Sequence, residues 1–245
     1  MDGRDLVIIV LAILAGAVVK SVSGMGLPVI AVPLITLVLP LEEAVVVTAL
    51  PGLAVNGVIG WRERSHVDQT RDLPVLATTG VVGAVFGTLL LVHLPEEPVL
   101  IALAVIVLGY VALALVRPTF RLAPVTATRW APAVGLSAGV MQGATGISGP
   151  ITGTWIHAYR LPRDAHVLAV TVLFFMAGIG QTVPLVASGA FDGLWVAALI
   201  GVPIALAMIP FGARVRGRLS GRAFDLVVLG ALMISAVTIL VRLIS

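Results

Sequence analysis

Ser23-Gly24-Met25-Gly26-Leu27-Pro28 breaks an apolar run over residues 6–40, and Thr145-Gly146-Ile147-Ser148-Gly149-Pro150 breaks a second run over residues 132–158. A helix needs about 20 apolar residues to cross a hydrocarbon core, at about 1.5 Å per residue. The arm after each break is too short for that: the first reaches Pro40 and the second ends near Ala158. Each run therefore reads as a helical hairpin that dips into the bilayer and returns to its own side. Non-helical backbone at membrane depth is tolerated only inside protein or beside a water-filled cavity, so both breaks mark buried or cavity-lining tips.

The rest of the chain supplies full-length spans at roughly 43–61, 74–94, 98–116, 165–187, 193–213 and 222–243. Of the 245 residues, 59% are hydrophobic and only 11% are charged, against about 25% charged in an ordinary soluble domain. That deficit excludes a soluble enzyme, a nucleic-acid binder and a disordered chain. The net charge of +3 comes from 14 Arg and one Lys, and it reports topology rather than affinity for polyanions. With no cysteine, disulfides and thiolate chemistry are absent. No hydrolase, zinc or phosphate-loop motif and no paired core carboxylates occur, so neither cofactor, metal nor enzymatic activity is expected. Leu6 to Leu14 followed by Ala15-Gly16-Ala17 has the outline of a signal peptide, but Met-Asp-Gly-Arg-Asp is net negative where such a peptide is positive.

Charge sets the expected sides. Arg62, Arg64, Arg71, Arg117, Arg121, Arg129, Arg160, Arg163, Arg214, Arg216, Arg218 and Arg222 fall in alternate loops. By the positive-inside rule these loops are cytoplasmic. The opposite loops, Leu41-Glu42-Glu43, Pro95-Glu96-Glu97-Pro98 and Ser188-Gly189-Ala190-Phe191-Asp192, contain no Lys or Arg, and only Arg4 and Arg242 lie on their side. Both termini are therefore expected outside.

A shift of 122 residues superposes Lys20 to Pro28 on Gln142 to Pro150 and Pro40 on Pro162. With small further shifts Asn56 falls beside Gln181, and Val67-Asp68 meets Phe191-Asp192. Each half, 1–122 and 123–245, is then a broken hairpin followed by three spans. Three is odd, so the halves face opposite ways. The expected fold is an all-α polytopic membrane protein of two inverted-topology repeats, an arrangement typical of secondary transporters whose broken helices meet near the midplane.

Pro28 and Pro150 suit the first position of a helix, so the short arms point their N-termini inward. Such termini favour anions. Ser21, Ser23, Thr145 and Ser148 add hydroxyls, and Gly24, Gly26, Gly146 and Gly149 let backbone amides approach a small ligand. Close helix packing is the competing explanation for each glycine taken singly. Lys20 is the only lysine; a cation at that depth is costly and invites a bound anion, the alternative being snorkelling to the interface. Asn56, Gln181 and Gln142, which takes the Lys20 position in the second half, are candidates for the pathway or for interhelical hydrogen bonds. His157 and His166 read as solvated residues near the interface. Trp61, Trp155 and Tyr159 read as interfacial anchors, with Trp155 placed to face a cavity.

Gly24-Met25-Gly26-Leu27-Pro28 with Pro33-Leu34, the second break at Gly146 to Pro150, and Val67-Asp68 at a span entrance resemble the sulfite exporter TauE/SafE family over essentially the whole chain. Met25 and Ile147-Ser148 interrupt glycine runs that are longer in that family. The resemblance implies transport of sulfite, thiosulfate or organosulfonate-like anions across a bacterial inner membrane. A secondary carrier, an exporter working by alternating access, is the expected function, with an anion channel of the same fold as the alternative. The expected partners are a small inorganic or organic anion and the lipid bilayer, with no nucleic acid.

Overall fold

The computed structural model describes residues 3–23, 26–95, 97–99, 101, 105 and 124–216. The expected spans 98–116 (but for a few residues) and 222–243 lie outside the described residues, as do Gly24 and the arginines at 117, 121, 218, 222 and 242. Every regular element among the described residues is helical. Helix α1 is Gly3–Ser23 and α2 is Pro28–Ile35. They are followed by α3, Leu41–Glu63, which runs into a 3-10 turn at Arg64–Gln69, and by α4, Leu73–His93. The second half contributes α5, Pro124–Thr145; α6, Gly149–Ala158; α7, Arg163–Ala187; and α8, Trp195–Arg216. Among the described residues three helical stretches are long and apolar enough to cross a membrane: Leu41–Gln69, Leu73–His93 and Arg163–Ala187.

Prolines set several helix starts. Pro40 and Pro162 precede α3 and α7 with nearly the same backbone, φ −56°, ψ 155° and φ −51°, ψ 151°. Pro28 and Pro150 stand at the starts of α2 and α6, where a missing N–H breaks no helical hydrogen bond.

Two long helices form the centre. Leu53 faces Gly178, Gly57 faces Phe175 and Gly60 faces Thr171, so α3 and α7 run antiparallel. On one flank α8 packs against α1 and α3; on the other α4 packs against α5 and α7. Helices α4 and α5 run parallel, since Leu76, Gly80 and Ala84 face Gly135, Gly139 and Gly143 in order. A Cβ at Gly83, Gly87, Gly139 or Gly143 would collide with the backbone of the facing helix. Small residues thus bring two backbones into direct contact, as membrane helices without a hydrophobic driving force require.

Both short arms fold back. Gly16 of α1 lies against Leu27 and Ala31, so α2 doubles back along α1. In the second half, Thr128 near the start of α5 and Tyr159 just after α6 both hydrogen-bond Asp72. The α5–α6 hairpin therefore leaves from and returns to the same end of the bundle. Gly146 makes that reversal with φ +74°, a left-handed conformation natural to glycine.

Candidate functional site

The two tips meet. A Cβ on Gly146 would sit 3.5 Å from Pro28 Cβ and 3.3 Å from Val32 Cγ2, so the second break touches the start of α2. Beside this junction a narrow cleft separates α3 from α7, lined by Gly26, Thr48, Asn56, Gln142, Phe174 and Gln181 among others. Thr48, Gly52 and Asn56 stand at intervals of four on one face of α3, and Phe174, Gly178 and Gln181 occupy one face of α7. That spacing places each set in a single row.

Three amides populate this cleft. Gln181 Nε2 donates to the Gln142 carbonyl at 2.6 Å and to the Gly143 carbonyl at 3.3 Å, and Gln142 Nε2 donates to Gln181 Oε1 at 3.4 Å. Ser148 Oγ donates to Gln142 Oε1 at 2.8 Å, tying the second tip to the same group. Asn56 is 6% exposed, and its Oδ1 has no hydrogen-bond partner among the described residues. A buried acceptor left in that state costs roughly 1–3 kcal/mol. It is the polar atom of the cleft most in need of a donor.

Lys20 is 1% exposed, and its Nζ lies 4.9 Å from the centroid of the Phe174 ring. The ammonium is therefore held in the interior, on a ring that forms a wall of the cleft, and does not reach an interface. Cation–π attraction of this kind is worth about 2 kcal/mol when desolvated.

The hydroxyls are differently employed. Ser21 Oγ donates to the Ala17 carbonyl at 2.7 Å, within α1. Thr145 Oγ1 donates to the Met141 carbonyl at 2.7 Å and accepts from the Ile147 amide at 3.2 Å. The Thr145 hydroxyl thus caps the break itself and consumes one of the amides there. Of the residues singled out in the sequence, Gly26, Asn56, Gln142 and Gln181 line the cleft, Lys20 lies on the ring of the lining residue Phe174, and Ser148 joins it through Gln142. Thr145, Gly146 and Gly149 are buried in the second tip, where they shape the turn. Ser21 faces its own helix; Gly24 and the Ser23 side chain lie outside the described residues.

Sequence reading missed Thr48 and Phe174. Both carry a usable signal: Thr48 lies two helical turns before Asn56, and Phe174 two turns before Gln181, on the faces those amides define.

Chain-wide, the sulfite exporter TauE/SafE family pattern matches residues 8–239. The chain belongs to the sulfite exporter TauE/SafE family. Membership makes it an integral membrane protein of an exporter-type anion transporter family. Comparison with curated proteins and with solved structures gives no match.

At the Arg71 end of the molecule, Trp155 Nε1 donates to Tyr159 Oη at 3.0 Å, and Tyr159 Oη donates to Asp72 at 2.9 Å. Burial, reinforced by the Asp72 carboxylate, holds the Tyr159 hydroxyl well above its ordinary pKa. It therefore stays protonated, and a donor, throughout the physiological range. Trp155 and Tyr159 are thus bound into the protein, whereas Trp61 is 69% exposed. His157 and His166 stack edge-to-face with ring centroids 6.3 Å apart. His157 is exposed, while His166 is drawn into the protein further than a solvated residue would be.

Proposed function

We propose that this family member is a secondary carrier. It binds a small oxyanion of the sulfite, thiosulfate or organosulfonate class in the cleft between α3 and α7 and moves it by alternating access. The observation that carries this reading is convergence: two helix-hairpin tips, three amides and the Phe174-stacked Lys20 ammonium gather around one buried cleft between the two halves. A site at the junction of two broken hairpins is the arrangement transporters use.

The halves 1–122 and 123–245 are inverted repeats in this proposal. Three observations support it. Helices α3 and α7, matched by the repeat, lie antiparallel side by side, as an in-plane two-fold axis requires. The packing of α1 on α8 has its counterpart in α5 on α4, and that of α3 on α8 in α7 on α4. Pro40 and Pro162 start their helices alike. A carrier is favoured over a channel of the same fold because the cleft is narrow. It has room for about one water, so a four-atom oxyanion needs a change of conformation.

Thermal unfolding of the purified protein with sulfite, thiosulfate or an alkanesulfonate tests the function. At 100 times its Kd, a ligand specific for the folded state adds about 2.7 kcal/mol. We expect at least one of the three to raise the midpoint by several degrees in the parent and by less in Gln181→Leu. Absence of any shift with all three at millimolar concentration overturns the proposed substrate class.

The proposed setting is a bacterial inner membrane with both termini outside. The loop at Arg64 and the turn at Arg160 share one end of the bundle, since His66 Nε2 is 3.9 Å from Asp164 and Tyr159 reaches Asp72. That end carries the arginines expected inside. In this cysteine-free chain, Ser65→Cys is expected to resist an impermeant thiol reagent applied to intact cells, and Ser188→Cys to react. The reverse pattern would invert the topology.

A further inference from the structure

A second cleft lies between α4, α5, α6 and α7, lined by Leu76, Gly80, Gly135, Thr152, Trp155 and Leu173 among others. Ser148 lines it as well. The hydrogen bond from Ser148 to Gln142 at 2.8 Å is therefore a partition, because Gln142 faces the cleft between α3 and α7. Trp155, which lines the second cleft, begins a chain of hydrogen bonds that runs through Tyr159 to Asp72 at the Arg-rich end. Thr128 Oγ1 also donates to Asp72 at 3.1 Å, and Arg71 Nε lies 3.5 Å from the same carboxylate. The Arg71 guanidinium stands over the Tyr159 ring, 5.7 Å from its centroid.

Backbone conformation marks the same place. Among the described residues only Asp72, φ 51°, and Arg160, φ 54°, are non-glycine residues with positive φ. One bears the acceptor of this network and the other follows its donor directly. Non-glycine residues hold that conformation at a cost, and only where the surroundings impose it. Helix α6 thus has a glycine reversal at its inner end, Gly146 with φ +74°, and a strained polar fastening at its outer end.

We propose that α6 is a gate arm. The Tyr159–Asp72 fastening holds it closed over an inner passage, and its release joins the Arg-rich face to the central cleft through the Ser148–Gln142 partition. The role of that passage as the anion's inner route rests on the carrier reading; the closure itself does not. Asp72 directly precedes α4 and Tyr159 follows α6, so this hydrogen bond is the polar tie of the arm to the α4–α5 pair, beside an apolar cluster in which Ile156 of α6 is buried with Leu73, Leu76 and Ala131. The glycine contacts between α4 and α5 need not change.

Thr152 is 3% exposed and faces this passage. Thr152→Cys in the cysteine-free chain, purified in detergent, is expected to react slowly with a cationic methanethiosulfonate reagent. Adding Tyr159→Phe, which keeps the ring and removes the hydroxyl, should accelerate that reaction about tenfold, the scale of one hydrogen bond to a charged group. Asp72→Asn, nearly isosteric and at home with positive φ, should give an intermediate rate and decides the matter if Tyr159→Phe does not fold. Ser137→Cys, exposed on α5, is the control, with the same rate in all backgrounds. Fast reaction of Thr152→Cys with the fastening intact, or no acceleration by either variant in folded protein, overturns the gate. Labelling needs no substrate, so acceleration in a protein that binds no anion would keep the gate and sink the carrier reading.

Discussion

Lys20→Gln is expected to lower affinity for a divalent oxyanion at least tenfold, with a smaller loss for a monovalent one. The ammonium lies on the Phe174 ring, 4.9 Å from its centroid, and Phe174 borders the cleft. An anion in the cleft would then sit on the order of 8 Å from the charge. At an effective dielectric of 20, that separation is worth about 2 kcal/mol per unit of negative charge. Desolvation of the anion removes part of it, which leaves a tenfold effect as the floor for a double charge. Glutamine is the residue that a shift of 122 positions places opposite Lys20, at Gln142, and it retains much of the stem that packs in the interior. Binding of thiosulfate and of an alkanesulfonate to parent and variant, by calorimetry in detergent, measures both effects. Equal losses for the two anions would mean that Lys20 acts through packing. No loss for either would place the anion elsewhere.

Gly139→Leu is expected to prevent accumulation of folded protein. Gly139 stands where α5 crosses Gly80 and Ala84 of α4, and any Cβ there meets backbone atoms that have no softer route of retreat. Overpacking a core costs typically 1–3 kcal/mol even when side chains can move aside; here two helices must separate along the whole seam. The displaced helix carries Gln142, so the amide cluster on Gln181 is lost with it. Gly153 of α6 is the internal control, since a Cβ added there meets nothing within 4 Å. Gly153→Ala should be neutral or stabilising by about 0.5–1 kcal/mol through helix propensity. Yield and unfolding midpoint of the two variants in the same detergent provide the check. Comparable behaviour of both would mean that α4 and α5 are not in backbone contact at Gly139.

The spans expected at 43–61 and 165–187 fall within α3 and α7, that at 74–94 matches α4 to within one residue, and the helices are interrupted at the expected glycine-proline segments. These features are local. Length against bilayer thickness and the missing N–H of proline act on each segment independently of its neighbours. That Asn56 and Gln181 line one cleft was foreshadowed for the same reason, because polar side chains are rare enough in apolar helices to stand out by position.

Partner choice was not legible in that way. Gly135, Gly139 and Gly143 recur every fourth residue, a pattern that allows close approach without naming the helix approached. Only the assembled bundle decides that α4 is that helix and that it runs parallel. Hydroxyl roles depend on the same information. Thr145 reads as a donor to a ligand until the turn brings its oxygen to the Ile147 amide. Asp72 acquires its partners only in the fold, where Thr128 and Tyr159 converge on it from residues remote in sequence. By itself, then, the sequence determined that this is a membrane-embedded helical chain with two broken hairpins, because bilayer thickness and backbone hydrogen bonding act segment by segment. The tertiary structure alone decided which buried groups face one another, since in a chain 59% hydrophobic most apolar surfaces are interchangeable and only shape selects among them.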